Sequence, residues 1–444
     1  MDTNANNNRE SFEDQQVIFV DTHLIQKAVE GLQRAREEFQ TLLEQAEGGD
    51  ASVYYDLGVR YTEGDGTDKD PAQAARWFAL ASEDGDLRAT DLLGRCYQSG
   101  AGVEKDEARA AELFEQAAEQ DYAPAQCDLG LSYENGSGVE KDEARAAECY
   151  LQAAEQDYAP AQTNLAVCYF NGIGVDKDVE CAHQWLEKAA EQKFPRALNI
   201  LGDCHWDGTG VEQDRGEAAR LYRQAAEQDY PPALCNLGLC YEYGEGVAED
   251  KTKAAEWYEK AARRGYAPAQ CNLGFFYDRG VGVAEDAAKA VEWYERAAEQ
   301  GYPRAQCNLG YCYESGKGVK EDKTRAVKLY RQAAEQGSSV GQCNLGYCML
   351  KGIGIRPDPA QAVYWFRKAA EGGSGRAMCL LGDCYREGQG VEADAAQART
   401  CYQKAIDLGF DAKEELEELD KAAPAGAAEQ PKKKKSFLGR LFGK

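Results

Sequence analysis

This chain is short of histidine, of positive charge relative to negative, and of long apolar runs. Its 444 residues include three histidines, His23, His183 and His205, and none belongs to an H-x-x-x-H metal pair or accompanies a G-x-S-x-G nucleophile turn. Nothing else in the chain supplies an enzyme signature, so no catalytic residue, metal, cofactor or small-molecule substrate is expected. No apolar stretch approaches the ~18 residues that a bilayer-crossing helix needs, so no membrane span is expected. Fifty-one Lys and Arg stand against 77 Asp and Glu, a net charge of -26. A body of that sign repels polyanions, which argues against nucleic acid as a partner. The start, Met1 to Asn8, has neither the basic residues nor the apolar core of an export signal, and the reducing cytoplasm is the expected compartment.

What is present is periodic. Leu-Gly pairs recur at Leu57, Leu93, Leu129, Leu201, Leu237, Leu273, Leu309, Leu345 and Leu381, with Leu165-Ala166 filling the one gap, always 36 residues apart. With this Leu as position 0, glycine follows at +7 and +9 in all ten copies (Gly64 and Gly66 through Gly388 and Gly390), Asp at +13 (Asp70 through Asp394) and Ala at +17. Each copy fits a helical hairpin. In the first helix Ala125, Leu129 and Tyr133 share one stripe. Gly136 suits a helix C-terminus that needs positive φ, and Asp142 suits the N-cap of the next helix. That second helix sets Ala146, Tyr150 and Ala153-Ala154 at spacings of three and four, with Trp at the preceding aromatic position in several copies. One hairpin cannot bury its apolar face alone, but stacked neighbours share a continuous core. The fold expected is all-α, a right-handed α-α superhelix (solenoid) of ten 36-residue hairpins. Its expected divisions are a disordered N-terminus (1–20), a capping helix (21–48), the repeats (49–410), a second capping helix (411–423), and a flexible linker with a basic amphipathic tail (424–444).

The unit YAPAQCNLGFFYDRGVGVAEDAAKAVEWYERAAEQG resembles the Sel1-like repeat, a relative of the tetratricopeptide repeat; the Leu-Gly, Gly-x-Gly, Asp, Ala and Ala-Ala positions carry the likeness. The resemblance implies a protein-interaction scaffold without catalytic residues. Some relatives are secreted and cross-linked by disulfides, and this chain has 16 cysteines. Thirteen of them fall at positions -2 and +3, five apart and about 140° apart around a helix, so a pair within one helix can neither bond nor share a metal. They are read as small buried hydrophobes in a reduced protein, with cross-repeat disulfides or redox sensing as the alternative.

If Leu and Tyr point into the stack, positions -2, +2, +5 and +6 point away from it, toward the concave surface, where the ligand-facing positions of the tetratricopeptide family also lie. Position +5 is mostly polar, but Phe170 and Trp206 break the pattern. Tyr243 and Arg279 stand at +6, and Phe275, Tyr311 and Tyr347 at +2. Aromatics and Arg are the preferred anchors of interfaces, so these residues are the candidate contacts for a protein or extended peptide. A file of amides at -1, Asn164, Asn236, Asn272, Asn308 and Asn344, is either a ladder for a peptide backbone or a repeat consensus that bonds a neighbouring helix.

The last 14 residues reverse the polarity. Lys432, Lys433, Lys434, Lys435, Arg440 and Lys444 give six positive charges and no negative one, so the remainder carries -26 less 6, or -32. On a helix Phe437, Leu438, Leu441 and Phe442 share a face. The segment resembles the membrane-targeting tail of the bacterial division-site ATPase MinD. That implies reversible attachment to an anionic membrane surface through these ten residues, peripheral at the inner face of the membrane. The alternatives are a solubilising or docking tail, or a nuclear-import signal, whose role leaves the interleaved Phe and Leu unused. The function expected is a membrane-tethered, non-catalytic adaptor. A soluble scaffold, a regulatory subunit or a translocated effector is the alternative, and an enzyme with an unrecognised active site the third.

Overall fold

The computed structural model describes residues 22–422, and all secondary structure in them is helical. Residues 1–21 and 423–444 lie outside the described residues, and with them the disordered terminus, the linker and all ten tail residues named above. A helix at Thr22–Glu47 precedes ten hairpins, each with a helix A and a helix B; those of repeat 7, for example, are Ala267–Arg279 and Ala287–Glu299. A final helix spans Lys413–Ala422.

The periodic Gly and Asp set these boundaries. Helix A of repeat 7 ends where Gly280 takes φ +64°, and its amide closes onto the Phe276 carbonyl. Helix B begins where the Asp286 carboxylate accepts the Lys289 amide at 3.0 Å. The intervening loop is drawn tight by the Asp286 amide, which donates to the Tyr277 carbonyl at 2.9 Å. The same Asp cap recurs at the start of every helix B.

Two devices hold neighbouring hairpins in register. The Gly at +9 lies against the first turn of the preceding helix B: a Cβ on Gly246 would stand 1.9 Å from the Arg215 carbonyl oxygen. Glutamines at -3 staple the other end. Gln270 donates to the Ala262 carbonyl at 3.1 Å and accepts from Gln300 at 2.8 Å, and Gln162 does the same with Ala154 and Gln192. Buried amides with both functions filled cost little, whereas an orphaned one would cost about 1–3 kcal/mol.

The chain divides into two compact units, Met1–Leu201 and Gly202–Lys444, and the division falls in helix A of repeat 5, Pro195–Asp207. In the first unit Phe39 and Ala46 of the leading helix pack with Val53, Leu57 and Trp77 of repeat 1. In the second unit one core joins Leu309, Tyr330, Leu345 and Phe366 across repeats 8 and 9, and Leu419 of the last helix packs with Cys379 and Tyr402. Within each unit helix B packs on the next helix A, and in the second the A helices of repeats 8 and 9 also touch.

Candidate functional site

In the A helices of both units, position 0 is buried and +6 is exposed, as a helical stripe requires. Position +2 is half-buried at Phe275, Tyr311 and Tyr347, and at +6 Tyr243 is 63% exposed and Arg279 exposed. Position -2 does not point outward: Cys127, Cys235, Cys271, Cys307, Cys343 and Cys379 are all buried. Position -2 is therefore roofed by the adjacent repeat. Burial pushes the Cys235 and Cys271 thiols up to about 12, which disfavours the nucleophilic thiolate.

The asparagine file is engaged inside the stack. Asn272 and Asn308 donate to the thiols of Cys235 and Cys271, 37 residues earlier, at 3.8 and 3.7 Å, and Asn164 donates to Cys127 at 3.5 Å. Asn236 instead donates to Asp203 at 3.1 Å. The amide carbonyls reach forward: Arg196, Arg304 and Arg376, at position -5 of the following repeat, donate to Asn164, Asn272 and Asn344 at 2.5, 3.3 and 2.8 Å. These arginines are the face residues that the sequence reading passed over.

Position +5 follows the residue at +21 on helix B. A tyrosine there donates its hydroxyl to Glu134 (Tyr150), Glu242 (Tyr258) or Glu314 (Tyr330) at 2.5–2.8 Å. In repeats 5 and 10 the acceptor moves to +2: Tyr222 donates to Asp203 at 2.7 Å and Tyr402 to Asp383 at 2.8 Å. Repeat 4 has Leu186 at +21 and so no hydroxyl to satisfy, and there Phe170 is half-buried with its ring edge-on to His183 at 5.4 Å. Trp206 is half-buried under the Arg215 guanidinium, 3.9 Å from its ring centre. Each of these two aromatics packs within its own hairpin, Phe170 in the first unit and Trp206 in the second.

The first unit also holds a charged cluster. Asp91, at -2 where later repeats have Cys, is buried. It pairs with Arg95 at 3.0 Å, and Arg95 reaches Asp128 at 2.6 Å. Asp91 Oδ1 has no hydrogen-bond partner. Burial, with the neighbouring Asp128 adding to it against the opposing pull of Arg95, lifts the Asp91 carboxyl from 3.8 to about 7. The folded chain thus holds a proton that the unfolded chain releases across this window, and this group's contribution to stability falls as pH rises from about 4 to about 7. Asp91→Asn is expected to flatten that part of the curve. Urea midpoints of both chains at pH 4 to 8 check it; parallel curves would count against it.

A cavity of about 610 Å³ opens between the leading helix and repeat 1, lined by Glu38, Asp56, Glu63 and Asp65 together with Leu42, Tyr55 and Val59. Arg60 bridges Glu38 and Asp65 across it, at 3.0 and 2.8 Å. Among the described residues no group of three or more His, Cys, Asp or Glu is placed to hold a metal ion, and no helix is long and apolar enough to cross a membrane.

The model of the Sel1 repeat matches ten consecutive segments, 51–86, 88–122, 123–158, 159–194, 195–230, 231–266, 267–302, 303–338, 339–374 and 375–410. The chain belongs to the Sel1 repeat family. No curated protein matches it significantly. Among solved structures it is similar to c5321, a protective antigen of uropathogenic Escherichia coli with an SLR fold, at 31% identity over 89% of this chain and 99% of that one, TM-score 0.48. It is also similar to a Sel1 repeat protein from Oxalobacter formigenes, at 35% identity over 55% of this chain and 96% of that one, TM-score 0.51. Sel1 repeats are generally interaction modules without catalysis.

Proposed function

We propose that this Sel1 repeat protein is a non-catalytic scaffold that binds an extended segment of a partner protein along the A helices of its second unit, while its basic tail holds it reversibly on an anionic membrane surface. The observation that carries the first part is the run of half-exposed aromatics at +2 in three consecutive repeats, Phe275, Tyr311 and Tyr347, beside exposed Tyr243 and Arg279. Aromatic surface of this kind contributes most of the energy of a typical interface at little entropic cost. In this reading Asn272, Asn308 and Asn344 serve the face from beneath, by bonding the thiols and guanidinium groups around it.

The test is a selection of binders from a random-peptide phage library on the full chain, followed by titration of a selected peptide. Phe275→Ala, Tyr311→Ala and Tyr347→Ala together are expected to weaken that peptide at least tenfold, or about 1.4 kcal/mol. An affinity unchanged by the triple variant, with its melting curve intact, would overturn the reading.

A further inference from the structure

Position -5 of helix A is proline in several repeats, but repeats 8, 9 and 10 place Arg304, Val340 and Arg376 there. Val340 is 55% exposed and Arg304 is exposed, so this row reaches the surface beside Tyr311 and Tyr347. The two guanidinium groups are held by neutral partners, the carbonyls of Asn272 and Asn344. Among the described residues neither arginine takes part in an ion pair, whereas nearby Asp278 is bridged by Lys317 at 2.8 Å and Arg279 at 3.1 Å. Of the carboxylates near these tyrosines, Glu242 and Glu314 each accept a tyrosine hydroxyl. Arg304 lies close enough to Tyr243 and Tyr302 to act on their hydroxyls, and Arg376 to act on Tyr347. In a chain of net charge -26, this row presents two oriented guanidinium groups outside any ion pair among the described residues, with an apolar residue between them and aromatics alongside.

We infer that Arg304 and Arg376 read two carboxylates of the bound segment, and that the segment is an acidic peptide with an apolar residue midway between its two acids. This rests on the helix-A face being the binding surface. Charge complementarity sets the sign: a guanidinium whose partners are neutral gains a charge-assisted, often bidentate bond when a carboxylate arrives. Geometry sets the spacing. Packed helices stand about 8–10 Å apart, and the A helices of repeats 8 and 9 touch, so at one such step per repeat the guanidinium groups are separated by about 16–20 Å. A chain in the extended polyproline-II form rises about 3.1 Å per residue with three residues per turn, so acids six residues apart span about 19 Å on one face and the residue midway between them shares that face, on Val340.

The experiment uses fluorescence anisotropy with the full chain and three labelled eleven-residue peptides in a Ser/Gly background. All have leucine at the sixth position; the third and ninth positions are aspartate, asparagine or lysine. The aspartate peptide is expected to bind at least tenfold tighter than the asparagine one and far tighter than the lysine one. Arg304→Gln with Arg376→Gln is expected to abolish the difference. Arg304→Gln alone, at an exposed site, is expected to remove about half of the preference on a logarithmic scale, and it keeps the test valid if the double variant unfolds. Equal binding of the aspartate and asparagine peptides, or a preference that survives both variants, overturns the acidic reading and leaves the helix-A face as the binding surface. Absence of binding by all three, together with failure of the phage selection, overturns both.

Discussion

Gly246→Ala is expected to destabilise the second unit by about 3 kcal/mol or more, and Gly265→Ala by only about 1 kcal/mol. Both residues have positive φ, +72° and +85°, so both substitutions carry the left-handed penalty of about 1–2 kcal/mol. They differ in what a Cβ would meet. On Gly265 it meets nothing within 4 Å; on Gly246 it would collide with the Arg215 carbonyl at 1.9 Å. That oxygen belongs to the first turn of the preceding helix B, which cannot step aside without unpacking the hairpin, and forced overpacking costs about 1–3 kcal/mol more. Because each repeat is stabilised mainly by its neighbours, the damage falls on the coupling between repeats 5 and 6. Urea unfolding is expected to broaden or split for Gly246→Ala and merely to shift for Gly265→Ala. Equal midpoints for the two variants would show that the +9 glycine is not what holds the stack in register.

The second large effect concerns the tail. Co-sedimentation with vesicles containing anionic lipid is expected to drop at least tenfold when the chain is ended at Gln430. Six Lys and Arg contribute ~1 kcal/mol each near an anionic surface, and the four apolar side chains add to that on partial burial. Salt screens the attraction of the tail, so binding by the full chain is expected to fall as the Debye length shrinks to about 3 Å at 1 M, the fall being softened because the repulsion of the remainder, at -32, is screened as well. Binding that survives truncation, or that ignores lipid charge, would remove the membrane from the account.

The hairpin itself was legible in the sequence because its determinants are local. Gly280 ends a helix and Asp286 caps the next through bonds spanning a few residues, so a fixed 36-residue period writes them out directly. The face was less legible because its determinants lie one repeat away. Nothing near Asn272 says that its amide is shared between Cys235 and Arg304, 37 residues back and 32 ahead. The apolar break at Phe170 is a case in between. Its counterpart, Leu186, stands 16 residues on in the same repeat, where Tyr150 and Tyr258 supply a hydroxyl to a glutamate. Comparing +5 with +21 across the ten copies would have shown a carboxylate at +5 in four of the six copies with tyrosine at +21, in none of the copies without one, and apolar residues at +5 beside Leu186 and Phe366. At -2 two signals conflicted: helical spacing turned the position outward, while the cysteines there read as small buried hydrophobes, and the residue type was the better guide.

The account turns on which face of the second unit meets the partner, and site-specific photo-crosslinking decides that most directly. A benzophenone amino acid replaces Tyr311 on helix A in one chain and Tyr364, 48% exposed on a helix B, in another. Each is irradiated with the same phage-selected peptide. The account predicts a covalent adduct at position 311 that excess unlabelled peptide suppresses, and none at 364. An adduct at 364 with none at 311 would place the partner on the B helices and contradict it.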